Sequence, residues 1–193
     1  MNNFRTEIEQ YLTGLSDIIL RLDRDQIGSA MDALMRTYER GGRVFVFGNG
    51  GSAATASHFV CDFNKGVSIG LKKKFEFICL NDNVPTVLAI ANDCGYENIF
   101  YLQLEDRLRE NDIIMAISGS GNSENVIKAV EYAKKNRNEV IALTGYDGGK
   151  LLGLADHPIH VNVDDMQKVE DVHMVLDHLM SQIIAAKLGR KMC

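Results

Sequence analysis

Two pairs of residues in this chain have the type and spacing for proton or metal chemistry. His58 and Asp62 stand four residues apart and share one face if their segment is helical. Glu170 and His178 stand eight apart, about 80° from one another around a helix axis. Both lie off the apolar stripe of Val169, Val172, Leu176, Leu179, Met180, Ile183 and Ile184, on a side that could face a cleft or another subunit. Two imidazoles and two carboxylates suit zinc or a similar divalent ion; an imidazole beside a carboxylate also suits acid–base work without metal. Spacing alone leaves both open, because eight residues rise about 12 Å along a helix, near the limit for two side chains meeting at one ion. His173 falls inside the stripe and reads as a buried histidine with a satisfied hydrogen bond. A di-iron reading of Glu170-x-x-His173 fails for lack of a second such motif. His157 and His160, in a strand region, are expected to have no chemical role.

A second kind of chemistry is anion binding. The stretch RVFVFGNGGSAATASHFVCDF at 43–63 reads as a buried strand, a glycine turn and a helix start, with Ser52 at the N-cap position. The free amides and dipole of that helix would point at a phosphate. The segment SGSGNSENV at 118–126 repeats the arrangement: Ser118, Ser120 and Ser123 offer hydroxyls, and Gly119 and Gly121 let backbone amides approach, so a phosphate can be held without lysine or metal. Either loop alone could be an ordinary turn; two of them, each between a strand and a helix, point to a phosphorylated metabolite. A dinucleotide fold is the competing reading, since Gly48, Gly50 and Ala53 satisfy G-x-G-x-x-A. Its ribose-binding acid should follow about 20 residues on, whereas the candidate here, Asp82, comes well past that. No Walker-type G-x-x-x-x-G-K-S/T occurs.

These residues need a frame to bring them together. Two amphipathic helices come first, one carrying Phe4, Ile8, Tyr11, Leu12, Leu15, Ile18, Ile19 and Leu22, the other Ile27, Ala30, Met31, Leu34, Met35 and Tyr38, closed by Gly41 and Gly42. After the strand at 44–47, further strands are expected at 76–80, 112–118, 139–145 and 157–163. Helices are expected at 84–91, 98–109, 123–136 and 167–188. Short apolar strands alternating with helices give an α/β three-layer sandwich with a five-stranded parallel sheet, ligands at the carboxyl ends of its strands. The leading helices could cover the sheet, form an oligomer interface, or do both.

At 193 residues and 46% hydrophobic content, the chain suits a single domain over 1–193, with 1–42 as its helical amino-terminal part. A formal charge of −5 argues against a broad nucleic-acid surface, and Lys72, Lys73 and Lys74 read as a solvated loop before a strand. The start MNNFRTEIEQ lacks a signal pattern and no run is long enough to span a membrane, so a cytoplasmic location is expected. Cys61, Cys79, Cys94 and Cys193 are widely spaced, without C-x-x-C, and read as reduced and mostly buried thiols.

With the two serine and glycine loops and the His58/Glu170/His178 pattern, the chain resembles the sugar isomerase (SIS) domain family, whose fold is flavodoxin-like, and within it the phosphoheptose isomerases. The likeness covers nearly the whole length, including GNGGSAATASHF, ANDCGYENIF and SGSGNSENVIKA. It implies an enzyme, an intramolecular oxidoreductase interconverting sedoheptulose 7-phosphate and D-glycero-D-manno-heptose 7-phosphate through an enediol. It further implies homotetramers with sites at subunit interfaces, and a zinc ion. Carried over residue by residue, it puts Asn49, Gly50, Gly51, Ser52, Asn92, Asp93 and Glu170 on the sugar phosphate, Ser118, Gly119, Ser120 and Ser123 on its phosphate group, and His58, Asp62, Glu170 and His178 on the metal. Asp62, also in contact with substrate, would be the base, and His178 would open the ring or shuttle protons. The chain departs from the family in having Asp62 where Glu is usual, Glu170 where Gln is usual, and the Lys65-Gly66 region where an Arg is usual. The rival implications are a non-catalytic phosphosugar-binding or replication-initiator-associating protein, or an isomerase of another ketose phosphate. Retention of Asp62 and His178 favours an enzyme.

Overall fold

The structure is a computed structural model and describes residues 4–190; Cys193 lies outside them. Two helices, α1 (Arg5–Arg21) and α2 (Arg24–Arg40), lead into β1 (Val44–Gly48), α3 (Gly51–Cys61) and a π-helical turn (Asp62–Val67). Then come β2 (Phe77–Cys79), α4 (Val84–Cys94), a 3₁₀ turn (Tyr96–Asn98), α5 (Tyr101–Leu104), β3 (Ile113–Ser118), α6 (Glu124–Lys135), β4 (Glu139–Thr144), α7 (Gly149–Leu154), β5 (His157–His160) and α8 (Met166–Lys187). All five strands are parallel, in the order β2-β1-β3-β4-β5.

The three layers follow from the period of two along each strand. Val44 and Val46 of β1, with Ile113, Met115 and Ile117 of β3 and Ile141 and Leu143 of β4, pack on one face against α2, α3 and α8. Their neighbours Phe45, Phe47, Ile114, Ala116, Val140 and Ala142 pack on the other face with Phe100, Val126, Val130 and Leu151. Because both faces are covered, the strands read as continuous apolar runs. Register then aligns Gly48 beside Ile117, and Ser118 beside Thr144, which puts both glycine and serine loops at one end of the sheet. At the other end Arg43 clamps the buried Asp112 carboxylate, with Nη2 to Oδ2 at 2.6 Å.

The two leading helices differ in role. α2 buries Ile27, Ala30, Ala33, Leu34 and Thr37, starts on Asp23, which accepts from the Asp25 and Gln26 amides, and ends on left-handed Gly41. No residue of α1 is fully buried, and Phe4, Ile8, Leu12 and Leu20 are exposed. Lys73 is not simply solvated: its Nζ donates to the Glu39 carbonyl and lies over the Tyr38 ring. Of the described cysteines, Cys79 is buried but Cys61 and Cys94 are exposed.

The expected helix at 98–109 is replaced by the 3₁₀ turn and the single turn of α5. Side chains there take over the backbone's partners: buried Gln103 donates to the carbonyls of Leu80 and Ile99, and the Asp106 amide donates to the Tyr132 hydroxyl while Asp106 itself sits at φ +56°. The fifth strand stops at His160, short of 163, and a short helix, α7, fills the stretch between β4 and β5.

Candidate functional site

At the carboxyl end of β1 the chain turns on Gly50, the residue that caps α3, with φ +54° and ψ −123°, a conformation suited to glycine. Ser52 is therefore one residue inside the helix and buried, rather than at the N-cap. The turn is held from two sides. Asn81, after β2, accepts from the Gly48 amide and donates to the Gly48 carbonyl. Asn49 and the buried Asn125 exchange side-chain amide hydrogen bonds of 2.9 Å in both directions, and the Tyr96 hydroxyl donates to Asn49 Oδ1.

Asn125 belongs to the first turn of α6, so this amide pair fixes one loop against the other. In the second loop Ser118 and Ser123 hydroxyls lie 3.3 Å apart, and the Asn122 amide donates to Ser120 Oγ. Gly121, at φ +64°, leaves no room for a Cβ, which would lie 1.9 Å from the Gly148 carbonyl oxygen. A cavity of 640 Å³ opens beside Ser120 and Asn122, bounded by Tyr146, Asp147, Asn162 and Asp164. Another, of 470 Å³, lies at the opposite end of the sheet among Arg36, Arg40, Arg109 and Arg137. No expected site residue lines it, and parallel sheets bind ligands at the carboxyl ends.

α8 runs past both loops and carries the rest of the site. Met166 and Val169 sit against Gly119. One residue on, the Glu170 carboxylate presses on Gly51, where a Cβ would meet its oxygens at 2.3 Å. Two turns further, His178 Nε2 is 3.1 Å from His58 Nε2. His58 Nε2 is also 3.8 Å from Asp62 Oδ1 and 3.9 Å from Asp177 Oδ2. Donor atoms of His58, Asp62, Asp177 and His178 all lie within 4.8 Å of one another.

Of the four expected metal residues, the structure thus gathers His58, Asp62 and His178, while Glu170 stands apart at Gly51. The reason is the helix rise: Glu170 precedes His178 by eight residues, about 12 Å, and its side chain does not span that distance. Asp177 stands in its place, a residue the sequence reading missed. The signal was there: Asp177 continues the i, i+4 series from Val169 and His173 into the buried face, where an unpaired acid is out of place. Its side chain is 0% exposed and neither oxygen has a hydrogen-bond partner. Burial, with the Asp62 carboxylate nearby, pushes its carboxyl up to about 8.

An orphaned buried carboxylate facing two imidazoles is what a cation centre looks like from its ligands. Around a four-coordinate first-row ion with bonds of about 2.0–2.1 Å, neighbouring donors are roughly 3.3 Å apart, a spacing that the separations of 3.1, 3.8 and 3.9 Å bracket. The residues present fit a divalent metal. Asp62 opens a π-helical turn, a geometry common at functional sites. The turn is anchored by Phe63, whose ring stacks on Phe77 at 4.2 Å and meets Phe75 edge-on.

The remaining expected residues are placed as follows. Asn92 and Asp93 are exposed at the end of α4, bonded to each other at 2.7 Å, and reach the loops only through neighbouring Tyr96. Asp82 accepts from Ser57 of α3. His173, 1% exposed, meets the Thr144 carbonyl through Nε2 at 3.4 Å, but its Nδ1 has no partner, so it is only half satisfied. Burial lowers its pKa to about 4, which keeps it neutral. His157 lies between Ser29 Oγ at 2.7 Å and Glu139, and His160 contacts the Tyr146 carbonyl; neither belongs to the cluster.

Known proteins resemble this chain in sequence and in fold. A phosphoheptose isomerase of Helicobacter pylori is 34% identical over 95% of this chain and 91% of its own length. Another, from Clostridium acetobutylicum, is 34% identical over 85% of this chain and 83% of its own. The solved phosphoheptose isomerase of Neisseria gonorrhoeae superposes with a TM-score of 0.86 at 27% identity, over 95% of this chain and 100% of that one. The SIS domain pattern matches residues 9–145, from the first helix through both glycine and serine loops to the end of β4. A parallel sheet with two glycine and serine loops at its carboxyl edge, matched by the family pattern along most of the chain, makes this chain a member of the SIS domain family.

Proposed function

We propose that the chain is a phosphosugar aldose–ketose isomerase that interconverts sedoheptulose 7-phosphate and D-glycero-D-manno-heptose 7-phosphate. The carrying observation is that α3 begins at a glycine turn beside the serine loop and ends at His58, Asp62 and His178. From Gly51 to His58 the helix rises roughly 10 Å. A long-chain phosphosugar, held by its phosphate at one end and reacting at the other, fits that separation. That fit agrees with the activity for which the relatives above are named.

In this reading the phosphate sits in the loop of Ser118, Gly119, Ser120 and Ser123, taking donors from their amides and hydroxyls. Asn49, Gly50, Gly51, Ser52 and Glu170 face the sugar hydroxyls, as do Asn92 and Asp93. The Asp62 carboxylate takes a proton from C1 of the ketose, leaving an enediol across C1 and C2, and returns it at C2. His178 carries the matching proton between O1 and O2, or opens the sugar ring beforehand. No electron leaves the substrate: C1 is oxidised as C2 is reduced. His58, Asp62 and His178 would hold a divalent ion, zinc in our reading, which when bound supplies polarisation of the carbonyl.

We further read 1–193 as one domain of a cytoplasmic homotetramer. The exposed apolar side chains of α1 support association. Among the described residues no helix is long and apolar enough to cross a membrane. The test is incubation of purified protein with sedoheptulose 7-phosphate, with NMR identification of the product and sedimentation at micromolar concentration. An aldoheptose 7-phosphate and a tetramer are expected. Tight phosphosugar binding without turnover would favour a sensor or binding protein instead.

A further inference from the structure

We propose that Asp177, rather than Glu170, is the second carboxylate of the divalent-cation centre, so that this chain holds its ion with His58, Asp62, Asp177 and His178. The inference rests on the reading that the protein binds such an ion, and it departs from the ligand set that the family likeness implies. Three observations carry it. Asp177 is 0% exposed and neither of its oxygens has a hydrogen-bond partner, so an ionised carboxylate there is costly unless a cation meets it. Its Oδ2 stands 3.9 Å from His58 Nε2, and its donor atom lies within 4.8 Å of those of Asp62 and His178. Glu170, by contrast, lies at the far end of the helix pair, its carboxylate beside Gly51.

The two helices explain why the roles separate. Gly51 meets Glu170 and, seven residues on, His58 meets His178, eight residues after Glu170. α3 and α8 therefore run side by side in the same direction, with a contact at each end. Glu170 would have to abandon the Gly51 turn and reach about 12 Å to join the cluster. Asp177 needs no movement. A set of two imidazoles and two carboxylates without thiolate takes zinc, cobalt or manganese and does not select a soft ion. Glu170 is left beside the first turn of α3, where the sugar is expected.

The experiment strips the full-length protein with chelator and titrates zinc against a chromophoric competitor, for wild type, Asp177→Asn, Glu170→Ala and His58→Ala. Wild type should bind one ion per chain. Asp177→Asn and His58→Ala should weaken binding roughly a hundredfold, and Glu170→Ala, which leaves no ligand atom at that position, should match wild type. Cobalt loading gives an independent readout: its visible spectrum should change in Asp177→Asn and stay the same in Glu170→Ala. Metal-free Asp177→Asn should melt higher than metal-free wild type, because a buried unpaired carboxylate is gone, and should gain less on adding zinc. Loss of binding in Glu170→Ala, with or without loss in Asp177→Asn, overturns the proposal, as does wild-type affinity in Asp177→Asn. Should Asp177→Asn fail to fold, Asp177→Ala and Glu170→Ala decide by the same titration and cobalt spectrum. If wild type binds neither zinc nor cobalt, the proposal and the metal reading fall together, while turnover by the stripped protein shows that the isomerase reading survives.

Discussion

The two ends of the α3–α8 pair are built on opposite principles. At the loop end the polar groups are satisfied among themselves: Asn49 with Asn125, Asn81 with Gly48, Ser118 with Ser123, Asn122 with Ser120. At the cluster end, two ring nitrogens and two carboxylates converge, and Asp177 has no hydrogen-bond partner. The loop end is held by hydrogen bonds within the chain. At the cluster end, buried polar atoms without hydrogen-bond partners cost free energy. The difference teaches where each region draws its order from: hydrogen bonds within the chain at one end and, in the metal reading proposed above, a cation at the other.

Substitutions should break the two ends in different ways. The largest effect is expected for Asp62→Asn, which keeps size and removes proton abstraction: kcat should fall roughly 10²–10⁴-fold with the fold intact. Normal turnover by this variant would sink the base assignment. Next comes His58→Ala, which should release metal and reduce isomerisation together, read by elemental analysis and turnover on the same sample. A metal-free wild type with full activity and no response to zinc would remove the contrast between the ends altogether. Ser120→Ala and Ser123→Ala should each weaken phosphosugar binding by about tenfold or more, through loss of a charged hydrogen bond of about 1.5–3 kcal/mol, with the melting temperature unchanged. Unchanged affinity in both moves the phosphate elsewhere.

The smallest expected effect concerns His173, buried between the two ends. Its folded pKa of about 4 lies below the ordinary value of 6.5. Between these values the unfolded chain binds a proton that the folded one refuses, so stability is fully present above about pH 6.5 and falls as the pH drops toward 4. By pH 5.5 the loss should be about 1 kcal/mol. Urea titrations across this range, compared with His173→Gln, isolate it; identical slopes would show that another group carries the acid sensitivity.

What the sequence made legible were features with a short period or a fixed spacing. Val44, Phe45, Val46 and Phe47 could be read as a strand because both faces are buried, and the two glycine and serine loops because each stands between a strand and a helix. Residues 98–109 misled because Gln103 and Tyr132 satisfy that backbone from a distance, which no local pattern records. Ser52 looked like a cap, but the positive φ of Gly50 starts the helix two residues earlier. The site was half visible: His58, Asp62 and His178 could be paired by helix geometry, whereas Asp177 could be recognised only by noticing an acid on the core face of α8. Asn125 and Asn81 gave no sign at all, since amides that bridge loops carry neither charge nor period.

α1 contains a gradient with a consequence in time. Leu15, Ile18 and Ile19 pack against the core, and the Tyr11 hydroxyl donates to Asp171 of α8 at 2.6 Å, but Phe4, Ile8 and Leu12 touch water. A helix segment without tertiary packing opens with little free energy, while one anchored in the core opens only with the domain. In a dilute single subunit the amides of the first two turns of α1 should therefore exchange with deuterium much faster than those near Ile18. Raising the protein concentration should slow them only if a second subunit covers that face, which makes the exchange rate at one end of one helix a gauge of assembly.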